Sequence, residues 1–356
     1  MPQGEIGEVN ELGRLQFGAL SYSLGHGTAV DRFTNSPDGV ARRAGLLGEV
    51  NLAGLAGHVA VADIVDGPAF VSARVGGRPL MWFLAPDATF QPNELDLDPR
   101  TEILGIWQIA VAGAADVGPP VDGTLDSGPS LTAAVVSLEN EAALLDNQLV
   151  KLIAYADVNA LTTRHEGAET SGLGLHPGVH AMLDVAGFRI EADVEGNVGG
   201  DGYAPRYFDR LYFIERTSAL GAAKPKAALA RPASWGYRGR LDVGVLEMLT
   251  LFGELRDQRA SGDTTSPSNM QATVGAAGFF MLAGASVTAT QTGLGDNDIF
   301  GPGFVVTGEG RVALLFNVLH VVGRAWQAHV PGGDDPGEFL VERGMTAGLE
   351  VNFDLL

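Results

Sequence analysis

The sequence predicts an all-β fold, a transmembrane antiparallel up-and-down β-barrel of about sixteen strands, and three observations predict it. The first is the last stretch of the chain. Phe339, Val341, Met345, Ala347, Leu349, Val351, Phe353 and Leu355 fall on one parity, with Glu342, Thr346, Glu350, Asn352 and Asp354 on the other. At about 3.3 Å of rise per residue this strand runs roughly 50 Å, against the usual strand of about five or six residues. A tilted strand crosses the hydrocarbon of a bilayer in about 9–11 residues and often continues past it. Arg343 interrupts the apolar parity, but it lies toward the loop end, where a lipid-facing charge costs little. The second observation is that this alternation recurs along the chain, and the third is that its connections alternate between tight and long.

The strands follow in order. In the N-terminal half they fall near residues 14–23, 45–53, 57–65, 69–82, 102–114, 131–141 and 149–161, with less regular alternation. Leu173, Leu175, Pro177, Val179, Ala181 and Leu183 then oppose His176, His180 and Asp184. After a tight connection at Val185-Ala186-Gly187, Phe188, Ile190, Ala192, Val194 and Val198 oppose Arg189, Glu191, Asp193, Glu195 and Asn197. Such a pair is a hairpin with one apolar and one polar face. Trp235, Tyr237, Leu241, Val243 and Val245 oppose Arg238, Arg240 and Asp242; Leu249, Leu251 and Leu255 oppose Thr250, Glu254, Arg256 and Gln258. Three more strands near residues 270–280, 285–289 and 304–314 continue the series, the last with Thr307, Glu309 and Arg311 on its polar face. Residues 319–330 form a strand whose parity is ambiguous, because apolar residues occupy both sides. With residues 339–355 the count is about sixteen, and fourteen to eighteen strands stay open.

Tight connections fall near residues 53–57, 142–147, 185–187, 245–248, 282–284 and 315–318. Longer polar ones fall at 25–44, 116–130, 162–170, 199–233, 257–269, 293–303 and 331–338. Short periplasmic turns alternating with longer external loops are expected of such barrels, and they place both termini in the periplasm. Two connections break the alternation: 83–100 is long where a turn is expected, and 66–68 is short where a loop is expected.

Composition agrees. The 356 residues include 49 Gly, 18 Pro and no Cys, 46% are hydrophobic, and the formal charge is −20. No apolar run approaches the 18 or so residues of a helical span. A barrel escapes that test, since only alternate residues meet lipid. With 23 basic residues against 43 acidic ones, and no basic run, nucleic-acid binding is excluded as a partner class. Met1-Pro2-Gln3-Gly4-Glu5 lacks the charged and apolar regions of a secretory signal, so the barrel reading expects an export signal that is absent from this sequence.

At the level of pattern the chain resembles bacterial outer-membrane β-barrel proteins of the porin type. The resemblance rests on the amphipathic strands, the alternating turns and loops, and the apolar, aromatic-bearing last strand. It departs from that family in ending Asp354-Leu355-Leu356 rather than on Phe or Trp, although Phe353 lies on the apolar face. The resemblance implies a single domain over residues 1–356, located in the outer membrane. Its partners would be outer-membrane lipid and lipopolysaccharide, small hydrophilic solutes or ions, the barrel-assembly machinery during biogenesis, and a second copy or complex partner. It implies no cofactor.

Closure is required because lipid cannot satisfy backbone N–H and C=O groups. Trp235, Tyr237, Phe304 and Phe353 then suit aromatic girdles, and sixteen strands leave a lumen wide enough for water. The inward parity presents Arg189, Glu191, Asp193, Glu195, Arg238, Arg240, Asp242, Glu254, Arg256, Glu309, Arg311, Glu342 and Glu350 as pore-lining candidates. They are read either as opposed ladders whose field orients solutes, the acidic excess favouring cations, or as an interstrand salt-bridge network stiffening the wall. The connection at 199–233 concentrates aromatic and charged residues. Tyr203, Arg206, Tyr207, Phe208, Asp209 and Arg210 within it are the candidate constriction, with a cap, a partner interface or an extra strand pair as alternatives. Gly25-His26-Gly27-Thr28 reads as a turn.

His176 and His180 lie about 13 Å apart on a strand, too far to share one ion, so no metal site is expected there. Asp296-Asn297-Asp298 and Asp334-Asp335 read as solvated turns, with calcium binding or a divalent bridge to lipopolysaccharide as the alternative. No Gly-x-Ser-x-Gly elbow, Walker loop or paired-cysteine motif appears, and no Ser/His or Asp/His constellation assembles, so an enzyme is not expected. The functional expectation is passive diffusion of small hydrophilic solutes. The alternatives are a plugged or dedicated barrel in a polysaccharide-export, secretion or motility complex, and a soluble or surface β-sandwich that binds a partner.

Overall fold

Alternate residues of a strand point to opposite sides, so an amphipathic strand can meet lipid on one side and a lumen on the other. That is how the strands are arranged in the computed structural model. It describes residues 13–18, 20–34, 44–52, 55–62, 70–79, 107–117, 132–147, 149–209, 212, 226–246, 248–261, 270–280, 282–294, 300–315, 319–331 and 339–355. The barrel strands are β1 (Gly13–Gly18), β5 (Gly45–Leu52), β6 (Leu55–Ala62), β7 (Phe70–Gly77), β8 (Trp107–Asp116), β9 (Ala133–Asp146), β10 (Val150–His165), β11 (Ala168–Val185) and β12 (Phe188–Gly199). They continue as β14 (Ser234–Val245), β15 (Leu249–Ala260), β16 (Met270–Phe280), β17 (Ala283–Leu294), β18 (Phe304–Leu315), β19 (Leu319–Pro331) and β20 (Phe339–Leu355). Each pairs antiparallel with its sequence neighbours, and β1 closes the ring by pairing with β5 at Leu15↔Gly48 and with β20 at Leu15↔Phe353. All sixteen expected strands are present in a closed sixteen-stranded barrel, and closure removes the sandwich alternative.

Outward positions are apolar and exposed: Val136 and Leu138 on β9, Val194 and Val198 on β12, Leu251 and Leu255 on β15, Met345 and Leu349 on β20. The ends of this band carry Trp107, Phe188 and Phe280 on the side of the tight turns, and Trp235, Tyr237 and Phe339 on the side of the loops. Such amphipathic rings suit the two interfaces of a bilayer. The side chain of Phe353 lies outside the described residues. On β19 the even positions His320, Val322, Trp326, Ala328 and Val330 are buried and Val321 is exposed, so the even parity faces inward. Its ambiguity in sequence arises because both faces are apolar.

Three features differ from the sequence expectation. The strand expected over 14–23 ends at Gly18, and residues 20–34 turn into the lumen. The turn expected at 142–147 is strand: β9 runs to Asp146 with Leu144 as an extra residue, since Leu152 faces Leu145 while Ile153 faces Ala143. A bulge breaks the hydrophobic parity as a turn does. The loop expected at 162–170 is mostly strand, for β10 and β11 meet at a two-residue turn, Glu166-Gly167, with φ of 49° and 80°. Both faces of this hairpin end are polar, and Thr162–Ser171 and Arg164–Glu169 pair across it at 3.0 Å. The irregular connections at 66–68 and 83–100, with the acidic turns at 296–298 and 334–335, lie outside the described residues. The tight turn Ala186-Gly187 is as expected, with φ of 51° and 84°, the left-handed pair that matches strand twist in a two-residue hairpin.

Candidate functional site: two segments in the lumen

Two segments enter the barrel and pack on its inner wall. The first, residues 20–34, carries short strands β2 (Ser21–Tyr22), β3 (Val30–Asp31) and β4 (Phe33–Thr34), of which β2 and β4 pair antiparallel. The second, residues 200–209 with Tyr212, carries β13 (Phe208–Asp209), which pairs parallel with β3 at Phe208↔Val30 and Asp209↔Asp31. Leu20, Leu24, Val30 and Phe33 from the first join Tyr203, Tyr207, Phe208 and Tyr212 from the second in one apolar cluster. The wall completes it with Leu47, Ala60, Ala62, Phe70, Ala112, Ala114, Ala133, Val135 and Leu161 of β5–β10. Phe70 stacks on Phe33 at 4.0 Å and meets Phe208 edge-on at 5.0 Å. The candidate constriction residues Tyr203, Arg206, Tyr207, Phe208 and Asp209 are therefore together inside the lumen, all buried. Arg210 lies outside the described residues.

On β9–β15 the same segments meet polar groups of the wall. Gly25 and Gly27, with φ of 51° and 75°, turn the chain so that His26 stacks on Tyr155 at 4.0 Å. Its Nδ1–H donates to Asp157 at 3.0 Å and its Nε2–H to Glu141 at 2.9 Å. Thr28 donates to Asp157 at 2.9 Å. Burial alone disfavours a charged imidazole, yet two carboxylates accepting from both ring nitrogens raise the His26 pKa to about 10. Burial likewise works against charge at Asp31, but the Arg32 and Arg206 guanidiniums hold its carboxyl well below the usual carboxylate range. Arg206 donates to the Gly27 carbonyl at 2.7 Å and to Glu195 at 2.5 Å, with Asp31 at 3.5 Å. It is a tie between segments and wall, not a charge facing a path.

Tyr203 sits in a slot of glycines. A Cβ on Gly174 would lie 2.1 Å from its ring, one on Gly199 2.7 Å, and one on Gly172 2.3 Å from its backbone nitrogen. Asn159 donates to the Tyr203 hydroxyl at 3.0 Å; that hydroxyl lies 2.5 Å from His176 Nε2, and His176 Nδ1 lies 3.0 Å from Glu195. The assignment that satisfies each group has Tyr203 donating to Nε2 and Nδ1–H donating to Glu195. His176 and His180 face the lumen as expected and bind different carboxylates, His180 taking Asp193 at 3.1 Å.

The expected pore-lining residues all occupy inward positions, and most are paired. Glu254 is central: Arg238 lies 2.9 Å from it, Arg256 3.3 Å, and Arg32 of the first segment also pairs with it. Arg240 pairs with Asp242, Arg189 with Glu191 at 2.5 Å, and Glu309 with both Arg311 and Arg324 at 2.6 Å. Arg311 also reaches Glu350 at 3.6 Å. Glu342 is exposed near the loop end, whereas Glu195, Glu254 and Glu350 are buried. Sequence reasoning missed the first segment as a lumenal element, and with it His26, Thr28, Asp31, Arg32 and the partners Glu141, Tyr155 and Asp157, as well as Asn159, which donates to Tyr203. One signal for it existed, the alanines at inward positions of β6 and β8; glycines 172, 174 and 199 on the inward parity mark the seat of the second segment.

No family model matches the chain, and no curated protein matches it. Solved structures do. CdiB from Acinetobacter baumannii aligns with 96% of this chain at 8% identity and a TM-score of 0.47, and the chain spans 60% of its length. A FadL homologue of Pseudomonas aeruginosa aligns with 99% of this chain and 92% of its own at 8% identity and a TM-score of 0.35. A mutant of the Rh. blastica porin aligns with 96% of this chain and 98% of its own, at 8% identity and a TM-score of 0.33. The assignment rests on the molecule itself. Its closed ring of antiparallel strands, outward apolar band and polar inner wall make it a sixteen-stranded β-barrel of the outer-membrane type.

Proposed function

We propose that the protein is an outer-membrane channel through which small hydrophilic solutes diffuse passively, held narrow by its two lumenal segments. One observation carries this reading: the apolar cluster of the two segments occupies the β5–β10 side, and the inner wall of β14–β19 carries a polar belt, with a separate small apolar cluster of Val305, Trp326, Ala328 and Val330 toward the loop end of β18 and β19. That wall presents Arg240 and Asp242, Arg256, the Thr273–Thr290 hydroxyl pair at 3.2 Å, and the Glu309–Arg311–Arg324 group. A lumen that served only as a filled core would gain nothing from these charges, which are costly to keep from water. Planar-bilayer recording tests the reading. Discrete current steps are expected from the wild type, and larger steps from a variant lacking residues 202–230 that still runs as a heat-modifiable barrel.

A preference for cations, suggested by the formal charge of −20, belongs to the same proposal and is expected to be weak. Glu195, Glu254 and Glu350 are covered by the side chains they pair with, so solutes do not meet the full acidic excess. The reversal potential in a KCl gradient measures it. The second reading is a sealed barrel serving a larger complex. It is favoured by Tyr203, Tyr207, Phe208 and Tyr212, each 2% exposed or less, which resemble a packed core more than an eyelet rim. Complete absence of steps from correctly folded wild type and from the deletion variant would select it.

A further inference from the structure

The ring closes unevenly at its last strand. β20 pairs with β19 from Phe339 to Val351 and with β1 from Val351 to Leu355, so its two sides are covered over lengths that meet only at Val351. β1 stops at Gly18 because the chain enters the lumen at residue 20, and β5 starts level with it, Gly18 facing Gly45. Among the described residues, therefore, nothing pairs with the β1 side of residues 339–349. A tilted strand crosses the hydrocarbon in about 9–11 residues, so the bare edge runs most of that depth. Val341, Met345 and Leu349 on its outer face are exposed and apolar, as a lipid-facing strand requires, and Phe339 lies in the loop-side aromatic ring.

Lipid cannot satisfy an unpaired N–H or C=O, and backbone outside a ladder is stable at membrane depth only against protein or water. The inner face of the edge has the room that water needs. Register sets Gly344 opposite Trp326 and Gly348 opposite Val322, and a Cβ on Gly348 would have no atom within 4 Å. Leu340 takes the inward parity and is still 59% exposed, while Met345, at 78%, is the most exposed large apolar side chain among the described residues. Glu342 and Arg343, the only charges along the edge, sit at its loop end. The indole N–H of the buried Trp326, across from Gly344, has no hydrogen-bond partner. A polar backbone edge bordered by apolar side chains suits a molecule of both characters. We propose that the gap between β20 and the end of β1 is a wet lateral portal, through which an amphipathic solute, a polar head on an apolar body, passes between the lumen and the hydrocarbon. As an exit from a conducting lumen the portal rests on the channel reading; as an opening in the wall it does not.

The chain has no cysteine, so a single engineered thiol reports on the opening. Met345→Cys is compared in lipid nanodiscs with Val274→Cys, an outward position of β16 that lies between two full ladders, using a charged, membrane-impermeant maleimide. Water in the portal should make the Met345→Cys thiol react at least about tenfold faster. In the wild type, the amides of residues 340–349 that do not bond to β19 should exchange at least about tenfold faster than those of β15. A decyl sulfonate with a terminal dansyl group, excited through the tryptophans, tests passage. The emission left in Trp326→Phe is the background from the other tryptophans, and Gly348→Phe, whose ring fills the open space beside the edge, should fall to that level. Equal reactivity of the two thiols, or edge amides as protected as those of β15, overturns the portal and points to a strand paired along the edge. Dansyl emission that is the same in wild type, Trp326→Phe and Gly348→Phe overturns the passage of an amphipathic solute. Reactivity, exchange and emission as expected, without current in bilayer recording, reject the channel reading and leave the portal standing.

Discussion

Single residues in the lumen do two different jobs, making room and holding charge. Gly174 and Gly199 matter because a Cβ at either would occupy the Tyr203 ring. A glycine on the inward parity reads in sequence only as a gap in the polar ladder, because what fills the gap comes from another part of the chain. His26 holds charge. Its pKa in the folded protein, about 10, lies above its ordinary value of 6.5, so its contribution to stability is fully present below pH 6.5 and is lost as pH rises through about 10. The wild type is therefore expected to exceed His26→Gln by about 1–3 kcal/mol at pH 6, and the gap should close above pH 10. Thermal or denaturant unfolding of both proteins in detergent across that range measures it. A constant difference would show that packing on Tyr155, not charge, is what His26 contributes.

Strands differ in legibility according to what stands before their inner face. β12, β14 and β15 face water or ion pairs and carry Arg, Asp and Glu at alternate positions, so their alternation is plain. β6 and β8 face the inserted body, and their inward residues are mostly alanine: Ala56, Ala60 and Ala62 beside His58, and Ala110, Ala112 and Ala114 between Gln108 and Asp116. With valine and leucine outside and alanine inside, the period of two fades, which is why the N-terminal half reads as less regular. β7 supplies the one large contact on this side, Phe70. Phe70→Ala is expected to cost about 3–5 kcal/mol, the usual range for an aromatic removed from a core. The loss should show as a lower near-ultraviolet melting temperature, with far-ultraviolet strand content retained. Simultaneous loss of both signals would mean that the cluster supports the barrel as well as the lumenal segments.

The molecule as a whole is stabilised by closure. Every barrel strand has two neighbours, so unfolding must break the ring. The expected consequence is heat-modifiable migration on SDS gels, unboiled protein running as a compact band, with a strand-rich circular dichroism spectrum in detergent. A single mobility before and after boiling, or full solubility without detergent, would contradict a membrane barrel.

What the sequence by itself determined is the ring: about sixteen strands, the facing of most of them, the inward parity of Arg238, Arg240, Glu254 and the other wall charges, and an aromatic-rich connection at 199–233 for which the lumen was one of several places. Those features are local, because a strand two residues in period against lipid must declare its faces in its own composition. Only the tertiary structure decided that residues 20–34 also enter, that Arg206 is buried as a tie between both segments and Glu195, and that most wall charges are spent on one another. These depend on contacts such as His26 with Asp157 and Phe33 with Phe70, whose partners are far apart in the chain. Periodicity records which face a residue occupies, and the lumen is where faces from every strand meet, so its contents are settled only when the ring has closed.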